Sequence, residues 1–272
     1  MSETVRFFLA QISLLAVVLV LHTYIGLHVI RRTLIFSDLV LDQLAAFGAL
    51  VGIGLAVQYG TAGSYLLSLV AVLLGALALA VLKPRNPAIP REAVIGILYA
   101  MALVGSLLLG DKLSGGAAYV TKTLVGSMLW VTWPIVGVTA AVYVVLLVFH
   151  YVYRDRFIAL VEDSGSARDQ KRWDFLFFTT QGVITVLIVP VAGVLLAYAF
   201  LMIPAAIAAI FTRRWGTAVL LGWSVGMVAC VSGVFLSFFQ DLPYGPTLIL
   251  CLGSAFLLAL GIRIVVPAAA RN

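Results

Sequence analysis

Read for polarity alone, the chain is a succession of apolar runs, most about twenty residues long, separated by short polar breaks. Roughly 20 apolar residues carry an α-helix across a bilayer. A membrane β-barrel would need short alternating segments instead, and these runs do not alternate. The pattern predicts nine spans, near 7–30, 38–57, 64–82, 93–110 and 131–153, two within the uncharged stretch 175–211, and then 218–239 and 247–265. The stretch 175–211 is divided because, at 1.5 Å per residue, it is too long for one crossing; the break is placed near 190–193. A less apolar segment, 111–130, contains Gly115, Gly116, Lys122 and Gly126. It reads as a short interfacial or re-entrant helix, with a tenth span as the alternative. The expected fold is therefore an all-α polytopic transmembrane bundle, a single membrane domain over residues 1–272.

Composition sharpens this. The chain is 63% hydrophobic and 10% charged, whereas a soluble domain carries about 25% charged residues. The net charge of +6 does not point to nucleic acid, because the basic residues gather at the ends of the predicted spans. Such residues orient membrane proteins, favouring the cytoplasmic side. With the Arg31-Arg32 side taken as cytoplasmic, fourteen Lys and Arg fall inside and only Arg6, Lys112 and Lys122 outside. The N-terminus is then expected outside and the C-terminus in the cytoplasm. The first run lacks a small-x-small cleavage site and is read as a retained helix. Cys230 and Cys251 both lie in apolar spans, which disfavours a disulfide framework or a thiolate metal site. No G-x-x-x-x-G-K-[S/T] phosphate loop and no nucleophile motif is found, so the chain is not expected to be an enzyme or to hydrolyse ATP itself.

Against this background a few polar positions stand out. Asp38 and Asp42 lie four residues apart in the second predicted span, so a helix points both carboxylates the same way, one turn apart. An Asp at the centre of a membrane helix costs roughly 2.5–3.5 kcal/mol on the insertion scale, and a passing cation is a natural compensating partner. The alternative is that both acids are simply hydrated near the inner interface. His22 and His28, on the first span, are six residues apart, about 240° around a helix, so at most one could join the acids; His22 is deeper. His150 is expected at a span end. The segment 154–174 is the longest polar stretch and is expected to be a cytoplasmic loop. Pro204 stands inside the seventh span, where it removes a backbone hydrogen bond and kinks the helix; it can serve packing or act as a hinge.

Four stretches together resemble the permease subunit of the metal-ion ABC importers of the zinc, manganese and iron group. The first is Gly26-Leu27-His28-Val29-Ile30-Arg31-Arg32, leading into Phe36-Ser37-Asp38 and Gln43-Leu44-Ala45-Ala46-Phe47-Gly48. The second is Glu92-Ala93-Val94-Ile95-Gly96-Ile97-Leu98-Tyr99-Ala100. The third is Gly193-Val194-Leu195-Leu196 with Phe200-Leu201-Met202-Ile203-Pro204-Ala205-Ala206. The fourth is Gly233-Val234-Phe235-Leu236-Ser237 with Asp241-Leu242-Pro243-Tyr244-Gly245-Pro246. They occur in the family's order and cover nearly the whole chain.

The resemblance implies a homodimer of this subunit around a central path in the inner membrane of a prokaryote. It also implies cytoplasmic ABC ATPase subunits and an extracytoplasmic metal-binding protein as partners, with membrane lipid around the spans. The chain itself is expected to bind no cofactor, and a divalent transition metal is its substrate. In many members an Asp is followed four residues later by a His that contributes to a metal site. Asp38 matches the Asp, while Asp42 stands where the His would be. Carboxylates suit manganese or ferrous iron better than zinc. The metal-site candidates are Asp38, Asp42 and His22. The segment 154–174 is expected to supply the helix that couples to the ATPase, through Glu162, Asp163, Ser164, Gly165, Ser166, Ala167 and Arg168. Lys171 stands where the family often has a glycine. The competing function is a secondary cation transporter driven by an ion gradient, although the inverted repeats common in such carriers are not visible.

Overall fold

The computed structural model describes residues 3–84, 86, 88–126, 131–162 and 167–265, and among these the regular structure is entirely helical. The helices are α1 (Glu3–Arg31), α2 (Phe36–Gly54), α3 (Ala62–Val81), α4 (Arg91–Lys112), α5 (Gly116–Val125), α6 (Trp133–Val152), α7 (Arg154–Val161), α8 (Ala167–Ala192), α9 (Val194–Phe211), α10 (Trp215–Gln240) and α11 (Tyr244–Val265). Among the described residues nine helices are long and apolar enough to cross a membrane, the number the hydropathy pattern predicts. The exceptions are α5 and α7. At ten residues, α5 is too short to cross a hydrocarbon core of about 30 Å at 1.5 Å per residue, so the described residues of the segment 111–130 add no tenth span.

The chain forms two compact units. One comprises Met1–Ile30, Met128–Tyr143 and Ala199–Asn272; the other comprises Arg31–Ser127 and Val144–Tyr198.

In the first unit, small residues allow helices to approach closely. A Cβ on Gly26 of α1 would run into the carbonyl oxygen of Leu201 and lie 2.8 Å from the Ala205 Cβ, both on α9. Leu27, Ala205, Ala208 and Ala218 continue this contact as a buried cluster. In lipid, helices gain little from hydrophobic exclusion, and close packing of small residues takes its place. Trp223 on α10 donates its indole N–H to the carbonyl of Ala16 at 3.0 Å. Pro204 lies inside α9, and Gly222 and Gly226 of α10 pack directly against it.

In the second unit, α2 packs against α3, α4 and α8 and is the most enclosed of the spans. Its polar side chains bond to its neighbours: Gln43 donates to Ser106 on α4 at 2.9 Å, and the Ala45 carbonyl accepts from Ser68 on α3 at 2.8 Å. The α8–α9 break falls at Gly193, whose φ of +80° is left-handed and favours glycine.

The segment 154–174 is not a loop throughout. It folds as α7, whose end is followed by Glu162, and as the first two turns of α8. Asp174, the last acid of this polar stretch, is fully buried. It accepts from Arg32, from Lys83 at 2.6 Å and from Arg91 at 3.3 Å. Arg91 also donates to the Leu79 carbonyl at 2.9 Å. One buried carboxylate thus gathers Arg32, Lys83 two residues beyond α3, the start of α4 and the start of α8 at one end of the unit. Three of the basic residues that the charge pattern assigns to one side of the membrane, Arg32, Lys83 and Arg91, are therefore neighbours in space.

Candidate cation site

Asp38 and Asp42 lie on the face of α2 that meets α8, each only 1–2% exposed, so neither is a hydrated surface group of this unit. The side chains facing them repeat their spacing. Gln181 donates Nε2–H to Asp38 Oδ1 at 2.9 Å, and Thr185, one turn further along α8, donates its hydroxyl to Asp42 Oδ1 at 2.9 Å. Two i, i+4 pairs on facing helices therefore form a polar ladder inside an apolar unit.

The ladder satisfies only half of each carboxylate. Asp38 Oδ2, Asp42 Oδ2 and Gln181 Oε1 are all buried without a hydrogen-bond partner. Among the described residues no Lys, Arg or His forms an ion pair with either acid. A buried acceptor left unpaired costs about 1–3 kcal/mol, and more when charged. Two carboxylates one turn apart also repel each other. Three uncommitted oxygens held by fixed neighbours are what a hard divalent cation takes as ligands.

His22, the third candidate ligand, belongs to the other unit. Its Nδ1 is 3.1 Å from the Val18 carbonyl oxygen and 3.4 Å from the Tyr143 hydroxyl. A carbonyl can only accept, so Nδ1 carries the proton and the lone pair sits on Nε2. Among the described residues no three His, Cys, Asp or Glu side chains converge. His28 packs between Tyr24 and Trp215, with ring centroids 4.8 and 4.3 Å away. His150, expected at an interface, is buried: its Nε2 is 2.9 Å from the Thr180 hydroxyl, and its ring stacks on Phe157 at 4.1 Å. Of the coupling candidates, Asp163, Ser164, Gly165 and Ser166 lie outside the described residues. Glu162 is exposed just after α7, and Ala167 and Arg168 open α8. Pro204 stands within α9, as expected.

Two neighbours of the acids carry no charge that would mark them. Gln181 and Thr185 are uncharged, and only their four-residue spacing, the same as that of the acids, marks them in the sequence.

Comparison with known proteins agrees with this architecture. A "probable metal transport system membrane protein" of Chlamydia muridarum is 24% identical over 173 residues, covering 62% of this chain and 59% of that protein. The "manganese transport system membrane protein MntC" of Halalkalibacterium halodurans is 22% identical over 182 residues, covering 64% of this chain and 61% of that protein. The match spans about three-fifths of the length of these relatives. The solved structure of PsaBC from Streptococcus pneumoniae in complex with Fab has the same fold, with a TM-score of 0.73 over 92% of this chain and 89% of that chain, at 20% identity. The model of the ABC 3 transport family matches residues 3–263, from the first span to the ninth, and the chain belongs to that family.

Proposed function

We propose that this chain is the membrane-spanning permease subunit of an ATP-driven importer of divalent transition-metal ions, and that Asp38 and Asp42 line the path of the ion. The observation that carries the reading is the trio of buried, uncommitted oxygens, Asp38 Oδ2 and Asp42 Oδ2 on the most enclosed span of its unit and Gln181 Oε1 on the helix facing it. An all-oxygen donor set favours manganese or ferrous iron over zinc by ligand type. The names of the relatives, which include a manganese transport system protein, agree with that class of substrate.

The same reading supplies partners. The chain carries no nucleotide-binding motif, so hydrolysis belongs to cytoplasmic ABC ATPase subunits. α7 and the residues from Glu162 to Arg168 are the element proposed to dock on them. An extracytoplasmic metal-binding protein delivers the ion, and a second copy of this chain completes the path. The N-terminus lies outside and the C-terminus in the cytoplasm, following the distribution of basic residues.

The test is uptake of manganese, zinc and ferrous iron by the complex reconstituted with its ATPase and binding protein. Asp38→Asn and Asp42→Asn should each lower uptake by about tenfold or more while the complex still assembles. Unchanged uptake in both variants would remove the acids from the path. Uptake that persists without ATP would favour a gradient-driven carrier and overturn the importer reading.

A further inference from the structure

The ion cluster around Asp174 carries more positive than negative charge among the described residues. Arg32, Lys83 and Arg91 all pair with that carboxylate; with Glu92, whose charge also acts on Arg91, three cations stand against two anions, a formal excess of one among the described residues. Both Asp174 oxygens are already taken: Oδ1 by Arg32, and Oδ2 by Lys83 and Arg91. Donors remain. Arg32 Nη1 and Arg91 Nε are buried without an acceptor, and the Arg32 side chain is only 6% exposed. Glu92, beside Arg91, turns its Oε1 to the Phe36 amide at 2.7 Å. The three basic side chains and Asp174 line an open cavity of about 660 Å³ to which Arg31 and Gln170 also contribute.

A second cavity lies in the same unit. It is an apolar groove of about 380 Å³ between α3 and α4 over α2, with Gly75, Ala78 and Gly105 among its lining and Leu74 and Met101 exposed at it. Ala78 is five residues before Lys83, and Leu98 is seven after Arg91, so the groove begins about 8–10 Å along the helices from those charges. It reaches to Ala71 and Gly105, about 18–21 Å from them, comparable to one leaflet of a hydrocarbon core about 30 Å thick.

We propose that the basic pocket binds a phosphate-type oxyanion, and that in the membrane this is the headgroup of an anionic phospholipid whose acyl chain lies in the α3–α4 groove. Guanidinium and ammonium groups donate charge-assisted hydrogen bonds to phosphate oxygens, and Arg32 and Arg91 each keep an N–H that Asp174 leaves over. Basic pockets at the ends of membrane helices attract anionic headgroups, and the phosphate supplies the missing negative charge. The site is separate from the Asp38–Asp42 ladder and does not depend on the transport reading.

The test uses the full-length protein purified in mild detergent and exposed to phosphatidylglycerol, phosphatidylcholine or inorganic phosphate alone. Bound species are counted by native mass spectrometry, with the unfolding temperature read in parallel. Phosphatidylglycerol should be retained in preference to phosphatidylcholine, and Lys83→Gln should weaken that retention about fivefold, the share of one basic residue. Lys83 is part-exposed, so its variant keeps the fold even where Arg32→Gln does not. Lys112→Gln, an exposed charge elsewhere, should change nothing. Retention that survives added inorganic phosphate identifies the lipid as the source. Displacement by phosphate, with stabilisation by phosphate alone, identifies a free anion at the same pocket. Equal retention of both lipids with no phosphate effect, or a Lys83→Gln protein that binds as the wild type does, overturns the site.

Discussion

Asp174→Asn is the substitution whose effect the structure predicts most differently from the hydropathy pattern. Read as one charge in a polar cytoplasmic stretch, Asp174 should tolerate an amide. In the structure it is the carboxylate that, among the described residues, pairs directly with Arg32, Lys83 and Arg91. The amide is nearly isosteric, but it removes the negative charge and turns one acceptor into a donor facing cations. Breaking a buried ion pair by removing one partner costs about 3–5 kcal/mol. Lys83 and Arg91 are 32% and 21% exposed, so water screens part of their repulsion and the lower end, about 3 kcal/mol, is expected. With roughly 2–4 °C per kcal/mol for a chain of about this size, the unfolding temperature should fall by about 6–12 °C. Thermal unfolding of the detergent-purified protein, followed by size-exclusion chromatography with fluorescence detection, measures this directly. Arg32→Gln should destabilise less, because two cations still face Asp174. Asp155→Asn, whose side chain is 90% exposed beside Arg154, should leave the transition unchanged. A shift below about 2 °C for Asp174→Asn would show that the cluster does not hold these helix ends together.

Other substitutions test the remaining contacts. Thr185→Val keeps the side-chain shape but removes the donor to Asp42; the apparent affinity for transported manganese should fall by about tenfold or more with assembly intact, read as a raised half-saturation concentration in uptake. Gly26→Val places a branched side chain against the Leu201 carbonyl and Ala205, and it should lower stability by at least about 1–3 kcal/mol; a wild-type unfolding temperature would contradict the close approach of α1 and α9. Pro204→Ala restores a backbone N–H inside α9 and should slow uptake at saturating metal while the complex still assembles. Unchanged turnover would assign Pro204 to packing against Gly222 and Gly226 alone.

How far the sequence revealed this molecule depends on which physical constraint acts at each place. The nine spans are legible because bilayer thickness imposes a length of about 20 apolar residues, a constraint that one-dimensional hydropathy measures. The α8–α9 break is legible for a related reason, since an uncharged stretch too long for one crossing has to turn, and Pro190 and Gly193 mark where. Helix ends are less legible, because helical hydrogen bonding continues into polar sequence: α8 starts at Ala167 and runs through Asp169, Lys171 and Arg172 before it becomes apolar. The burial of Asp174 and of His150 is illegible in the sequence for a related reason. Whether a charged or polar group is buried depends on partners distant in sequence, and Arg32, Lys83, Arg91 and Thr180 are brought to them only by the packing of helix ends. The Asp38–Asp42 pair was visible because an acid in an apolar run is costly wherever it lies. Gln181 and Thr185 were not, because neither carries a charge that demands a counter-ion, and a polar side chain in an apolar helix can satisfy itself in many ways. Their meaning emerges only when α8 lies against α2 and the two four-residue spacings coincide. The candidate site is therefore half legible: the charge that must be compensated is visible in the sequence, while the neutral groups that aim it depend on which helix faces which.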